Sequence, residues 1–158
     1  MASRDAKQPN LLFILPDDQG AWAMGCAGNA EIKSPNLDRL AREGIRFDNF
    51  FCTSPVCSPA RASILTGRIP SQHGVHDFLH WQSDTGSGGL DRQVPADSVQ
   101  FLAGMPTYAE MLTDAGYDTC LSGKWHLGDG LQPRCGFQTW NPMPYGASDY
   151  FRVPVVKN

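Results

Sequence analysis

Apolar positions fall along this chain in short blocks, and the spacing within each block predicts alternating strands and helices. Residues 11–15, Leu-Leu-Phe-Ile-Leu, form an unbroken apolar run after Pro9-Asn10, the pattern of a strand buried on both faces of a parallel sheet. Ser34-Pro35 opens a helix that carries Leu37, Leu40 and Ala41 on one face and stops at Gly44. Residues 45–51, rich in Phe, read as a second strand. The three together predict a βαβ unit with a right-handed crossover.

Further along, a short helix is expected over residues 59–66. Ser58 is its N-cap, Pro59 takes the first helical position, Ile64 and Leu65 supply a buried face, and Gly67 ends it. Pro106-Thr107 starts another helix, with Thr107 and Glu110 as a capping box. Tyr108, Met111, Leu112 and Ala115 point inward there, and Gly116 is the stop. A third strand follows over residues 117–122. Residues 84–89 read as a flexible loop. From Gln132 onward Pro, Gly, Trp and Tyr recur without periodicity, as in irregular structure near a pocket mouth. The fold class is therefore α/β, a parallel or mixed sheet flanked by helices.

Composition narrows the partners more than the fold. The 158 residues are 41% hydrophobic and 18% charged, enough for one soluble core. A net charge of −3 without a basic run argues against nucleic acid, whose phosphates call for clustered Lys and Arg. No apolar run is long enough to cross a bilayer, and residues 1–10 lack the hydrophobic stretch of a signal peptide. Cys26, Cys52, Cys57, Cys120 and Cys135 are odd in number and irregularly spaced, unlike a disulfide framework or a structural zinc site. Reduced thiols in a cytoplasm are the default expectation.

Three places carry chemistry. Asp17 and Asp18 would project from the carboxyl end of the first strand, the usual ligand position in an open α/β sheet. Two adjacent carboxylates there suit a hard cation, Ca²⁺ or Mg²⁺; an Asx turn closing the strand is the alternative. Cys57 sits just ahead of the helix over 59–66, where backbone N–H groups and the positive dipole end favour negative charge. Arg61, four residues on, reaches the same face. A buried cysteine before a capped helix is the competing reading. Lys124 and His126 alternate with Trp125, so in an extended segment both point one way, toward a tetrahedral anion. A surface Lys beside a structural His is the alternative there. His73, His76, Asp77 and His80 are dense enough to suggest zinc, but Gly74 interrupts the helix such spacing needs and no second cluster completes a site, so exposed or core-satisfied histidines in a packed loop are preferred, with His73 or His76 near substrate as the alternative.

The string Cys57-Ser58-Pro59-Ala60-Arg61, followed by Ile64-Leu65 and Thr66-Gly67, resembles the CxPxR signature of the type I sulfatases at every position. A tyrosine-phosphatase loop would need Arg six residues after the Cys, where this chain has Ser63. Pro9-Asn10, the apolar run and Asp17-Asp18 are similar to the family's opening, with Pro16 where Ala is common. Gly116-Tyr117 through Gly123-Lys124-Trp125-His126 is similar to its second signature, and Thr66-Gly67-Arg68, Pro70 and His73-Gly74 to its connecting run. The resemblance covers residue 9 to about 151. It implies an alkaline-phosphatase-like fold, with residues 1–158 as the N-terminal part of a catalytic domain that continues, in the family, into further metal ligands, a leaving-group acid and a second domain.

The resemblance further implies hydrolysis of sulfate monoesters. Cys57 becomes formylglycine through a formylglycine-generating enzyme, and its hydrate attacks sulfur. Ca²⁺, or Mg²⁺, is held by Asp17, Asp18 and the modified Cys57. Arg61 and Lys124 fix charge, and Lys124 and His126 contact the sulfate, His126 accepting the diol proton. The expected substrate is a small sulfate ester or a sulfated glycan. A phosphate or phosphonate ester hydrolase, and a truncated domain that binds anions without turnover, are the two other classes kept open.

Overall fold

The computed structural model describes residues 8–79, 100–128 and 130–143. The loop expected over 84–89, His80 and everything after residue 143 lie outside the described residues. The chain falls into two compact units, Met1–Phe50 and Phe51–Asn158.

In the first unit a 3₁₀ turn, Gly25–Ala27, is fastened to helix α1, Pro35–Glu43. Proline at the first helical position has no N–H to lose, and helix α1 ends at Gly44 as its sequence predicts. Asp38 accepts from the Cys26 amide at 2.7 Å and from the Ser34 hydroxyl at 3.0 Å, while Ser34 Oγ accepts from the Gly25 amide at 2.8 Å. Arg46 Nη1 donates to the Cys26 carbonyl and pairs with Asp48. Polar contacts thus hold this unit, and helix α1 buries none of its residues.

The two strands expected here do not form. Residues 11–15 are exposed, Leu12 by 86%, and residues 45–51 are outside any strand, with Phe47, Phe50 and Phe51 exposed. A strand exists only where a neighbour takes its N–H and C=O groups, and no described residues pair with either segment. The βαβ unit is therefore absent among the described residues.

The second unit has a true core. Helix α2, Cys57–Thr66, contributes Ala62 and Leu65, and helix α4, Tyr108–Asp114, contributes Ala109; a short helix α3, Pro70–His73, lies between them in sequence. Strands β1, Cys120–Lys124, and β2, Thr139–Met143, pair in parallel with Leu121 opposite Trp140. Trp140 and Trp125 meet edge to face at 5.1 Å, and the Trp140 indole N–H donates to the Gly130 carbonyl at 2.7 Å. Such a pair combines large apolar burial with a satisfied polar atom.

Helix α4 starts with the expected capping box: Thr107 Oγ1 accepts from the Glu110 amide at 3.2 Å, and Glu110 Oε2 accepts from the Thr107 amide at 2.8 Å. Its inward face differs from expectation, because Met111 and Ala115 are exposed and Ala109 is buried instead. Gly136 explains the shift. A Cβ there would lie 2.3 Å from the Glu110 nitrogen, so the backbone of residue 136 packs directly on the helix beside Ala109. The hydroxyls of Thr113 and Thr119 both donate to the Gly136 carbonyl, at 2.8 and 2.6 Å.

Candidate active site

Helix α2 begins two residues earlier than the sequence predicts. Val56, extended at φ −125° and ψ 140°, is the N-cap, and its carbonyl accepts from Ala60 at 3.0 Å. Cys57 is consequently the first helical residue, half-buried, among the N–H groups that have no partner inside the helix. Ser58 is not the cap. It is wholly buried, and its hydroxyl accepts from the Leu79 amide at 3.2 Å. Gly67 closes the helix at φ 67°, a left-handed turn that favours glycine.

Arg61 lies one turn beyond Cys57, and its Nη1 donates to the Lys124 carbonyl at 2.6 Å. Lys124 is the last residue of strand β1. The alternation expected to carry on to His126 stops there, because His126 takes φ 58° outside the strand. Trp125 turns into the core, as expected, and His126 is buried as well. His126 Nε2 lies 3.0 Å from the Leu79 carbonyl. A carbonyl only accepts, so Nε2 carries the proton and Nδ1 is the ring atom that can take or give another. The Phe78 ring meets the His126 ring edge-on at 4.5 Å.

Ser63 Oγ is 2.9 Å from His73 Nε2 and 2.7 Å from Thr53 Oγ1. By distance alone this resembles a nucleophile and its base. The tautomer says otherwise: His73 Nδ1 accepts from the Val75 amide at 3.1 Å, so in the neutral ring Nε2–H donates to Ser63 and has no lone pair to act as base. Burial lowers the His73 pKa, and nearby His76 lowers it further. This is the packed loop that the sequence predicts, tying helix α3 to helix α2.

Asp17 and Asp18 belong to the first unit and are exposed, Asp18 at φ 57°. Non-glycine residues in that region are uncommon, although Asp tolerates it better than most. The pair offers oxygen donors of the kind hard cations take. Among the described residues no three His, Cys, Asp or Glu gather into a metal site. Nor does any pair of the five cysteines form a disulfide there. Burial, with Glu110 adding to it, pushes the Cys135 thiol up to about 11, so that cysteine is a packing group. No described helix is long and apolar enough to cross a membrane.

The Sulfatase family model matches residues 9–146. The chain belongs to the sulfatase family. Among curated relatives of this sulfatase-family chain, human steryl-sulfatase is 35% identical over 157 residues, 98% of this chain and 25% of that protein. Human arylsulfatase A is 39% identical over 145 residues, 89% of this chain and 26% of that protein. The structure of BT4656 in complex with its substrate D-glucosamine-2-N,6-O-disulfate superposes with a TM-score of 0.60 at 35% identity, over 85% of this chain and 23% of that one. This sulfatase-family chain thus spans about a quarter of the length of the curated relatives it matches, and its α/β class agrees with theirs.

Sequence reasoning missed Ser58, Phe78 and Leu79 as parts of the site. A serine ahead of Pro59 reads as a cap, and only the folded contact with Leu79 reveals its other use. For the two segments around residue 79 and residue 126, 47 positions apart, no local pattern signals the contact.

Proposed function

We propose that this chain serves a hydrolase of sulfate monoesters in which Cys57, matured to formylglycine by a generating enzyme, is the nucleophile. The observation that carries the reading is the bond from Arg61 to the Lys124 carbonyl, because it fastens the helix that starts at Cys57 to the segment bearing Lys124 and His126. The hydrated aldehyde would supply one hydroxyl to attack sulfur and a second to release it, and a divalent cation on Asp17 and Asp18 would neutralise sulfate oxygens.

The chain's own residues have separable tasks. Arg61 orients the start of helix α2 against strand β1 and keeps its positive charge one turn from position 57. The Lys124 ammonium is a point charge for a sulfate oxygen. His126, with Nε2 committed to Leu79, exchanges protons at Nδ1. Asp17 and Asp18 would provide two of the six to eight oxygens that calcium takes.

The substrate class follows from the relatives' chemistry, a sulfated sugar or another sulfated alcohol. The test is turnover of an aryl sulfate against the matching aryl phosphate by the matured protein. Preference for sulfate supports the reading. Preference for phosphate or phosphonate would move it to another branch of the same chemistry, and binding of sulfate without turnover would leave an anion-binding domain.

A further inference from the structure

Leu79 is held through its backbone from two sides. Its amide donates to Ser58 Oγ at 3.2 Å, and its carbonyl accepts from His126 Nε2 at 3.0 Å. Ser58 is wholly buried in the first turn of helix α2, directly after Cys57, so its hydroxyl has one fixed location. The carbonyl on the far side of Leu79 is what selects the His126 tautomer, and the Phe78 ring edge at 4.5 Å limits how the imidazole can turn. The path from Ser58 to His126 runs through two hydrogen bonds and one residue's backbone.

We infer that Ser58 is a positioning residue for His126, setting the ring's tautomer and orientation through the main chain of Leu79. The variable position of the first signature is thereby coupled to the histidine of the second. This rests on the proposed role of His126 as proton carrier. Without the Ser58 hydroxyl the Leu79 amide loses its acceptor, and the Leu79 backbone is free to turn about φ and ψ, which carries its carbonyl away from Nε2. The imidazole is then free to place its proton on Nδ1, the wrong atom for accepting one from the nucleophile. Misalignment of this kind lowers the rate of the chemical step while leaving charge-based substrate binding in place.

The experiment uses the protein matured at Cys57, with conversion measured by peptide mass and rates normalised to it. Ser58→Ala is expected to lower kcat about 10- to 100-fold with KM within about threefold of the parent. In ¹⁵N–¹H spectra of the imidazoles, the parent should show His126 as the Nε2–H tautomer and Ser58→Ala a mixture. An unchanged kcat would overturn the inference. So would a reduced kcat with the His126 tautomer unaltered, because Ser58 would then act elsewhere. If Ser58→Ala melts below the assay temperature, Ser58→Thr carries the test: it keeps the hydroxyl, and a His126 signal and kcat like the parent's support the inference, whereas a shifted tautomer in a folded Ser58→Thr protein refutes it. Turnover by His126→Ala addresses the underlying role separately. Full activity there would remove the proton-carrier reading while the tautomer result still judges the coupling.

Discussion

Arg61 Nη1 donates to the carbonyl of Lys124 over 2.6 Å, joining residues 63 positions apart in the chain. A guanidinium spreads five N–H groups over a planar fork, so one edge can do this while another faces elsewhere, whereas an ammonium donates from a single atom on a shorter, more flexible stem. Arg61→Lys is therefore expected to behave nearly as badly as Arg61→Ala. Each should lower kcat/KM about 100-fold on an aryl sulfate and cost about 1.5–3 kcal/mol of stability, the scale of a hydrogen bond to a charged donor. Chemical denaturation and steady-state kinetics on the two variants check this. A fully active Arg61→Lys would show that charge alone suffices.

Neighbouring residues 124 and 125 should separate into activity and stability. Lys124→Ala is expected to reduce kcat/KM by about 100-fold or more, as for loss of one oxyanion contact. Trp125→Phe should instead lower the melting temperature, because Trp125 is buried against Trp140 at 5.1 Å. Its indole N–H has no partner among the described residues, so the loss is one of packing. Equal losses of activity with both proteins folded would contradict this division.

Acidification should loosen the contact between the Val75 amide and His73 Nδ1. His73 has its pKa lowered by burial below the ordinary 6.5, so the unfolded chain binds its proton more readily than the folded one. Its contribution to stability is complete above pH 6.5 and declines as the pH falls from there toward the folded-state value. A protonated Nδ1 could no longer accept from Val75. Melting temperature should therefore fall between pH 7.5 and 5.5, and His73→Asn, which keeps an acceptor near Nδ1 but does not titrate, should flatten that slope. A slope unchanged in His73→Asn would assign it to other groups.

Maturation should be confined to one cysteine. Peptide mapping of protein coexpressed with a formylglycine-generating enzyme is expected to find an aldehyde in place of the thiol at Cys57 and unmodified thiols at Cys26, Cys52, Cys120 and Cys135. Active protein with an intact Cys57 thiol would refute the assigned nucleophile.

Removal of divalent cations by a chelator should abolish turnover, with calcium or magnesium restoring it. Asp17→Asn with Asp18→Asn should raise the calcium concentration needed for half-recovery at least about tenfold, since two charged ligands become neutral. Activity indifferent to both treatments would exclude the metal role of this pair.

The sequence by itself determined the elements whose signals are local. Helix α2 and its glycine stop, helix α1 between Pro35 and Gly44, and the Thr107–Glu110 capping box are each specified within a few residues, because capping bonds and backbone preferences act over one turn. Family membership was equally legible, since Asp17-Asp18, the string from Cys57 to Arg61 and the string from Gly123 to His126 are contiguous. Tertiary structure decided what depends on a partner. Residues 11–15 have a strand's composition and form none among the described residues, because ladder bonds come from a neighbour. Strand β2 was missed because the residues from Gln132 onward show no periodicity, yet β1 supplies the neighbour that makes Thr139–Met143 a strand. The use of Ser58 likewise changed from cap to clamp only when Leu79 came within reach, and the proton on His126 was assigned by a carbonyl 47 residues away. Local chemistry names the reactive groups, while contacts distant in sequence set their direction and their protons.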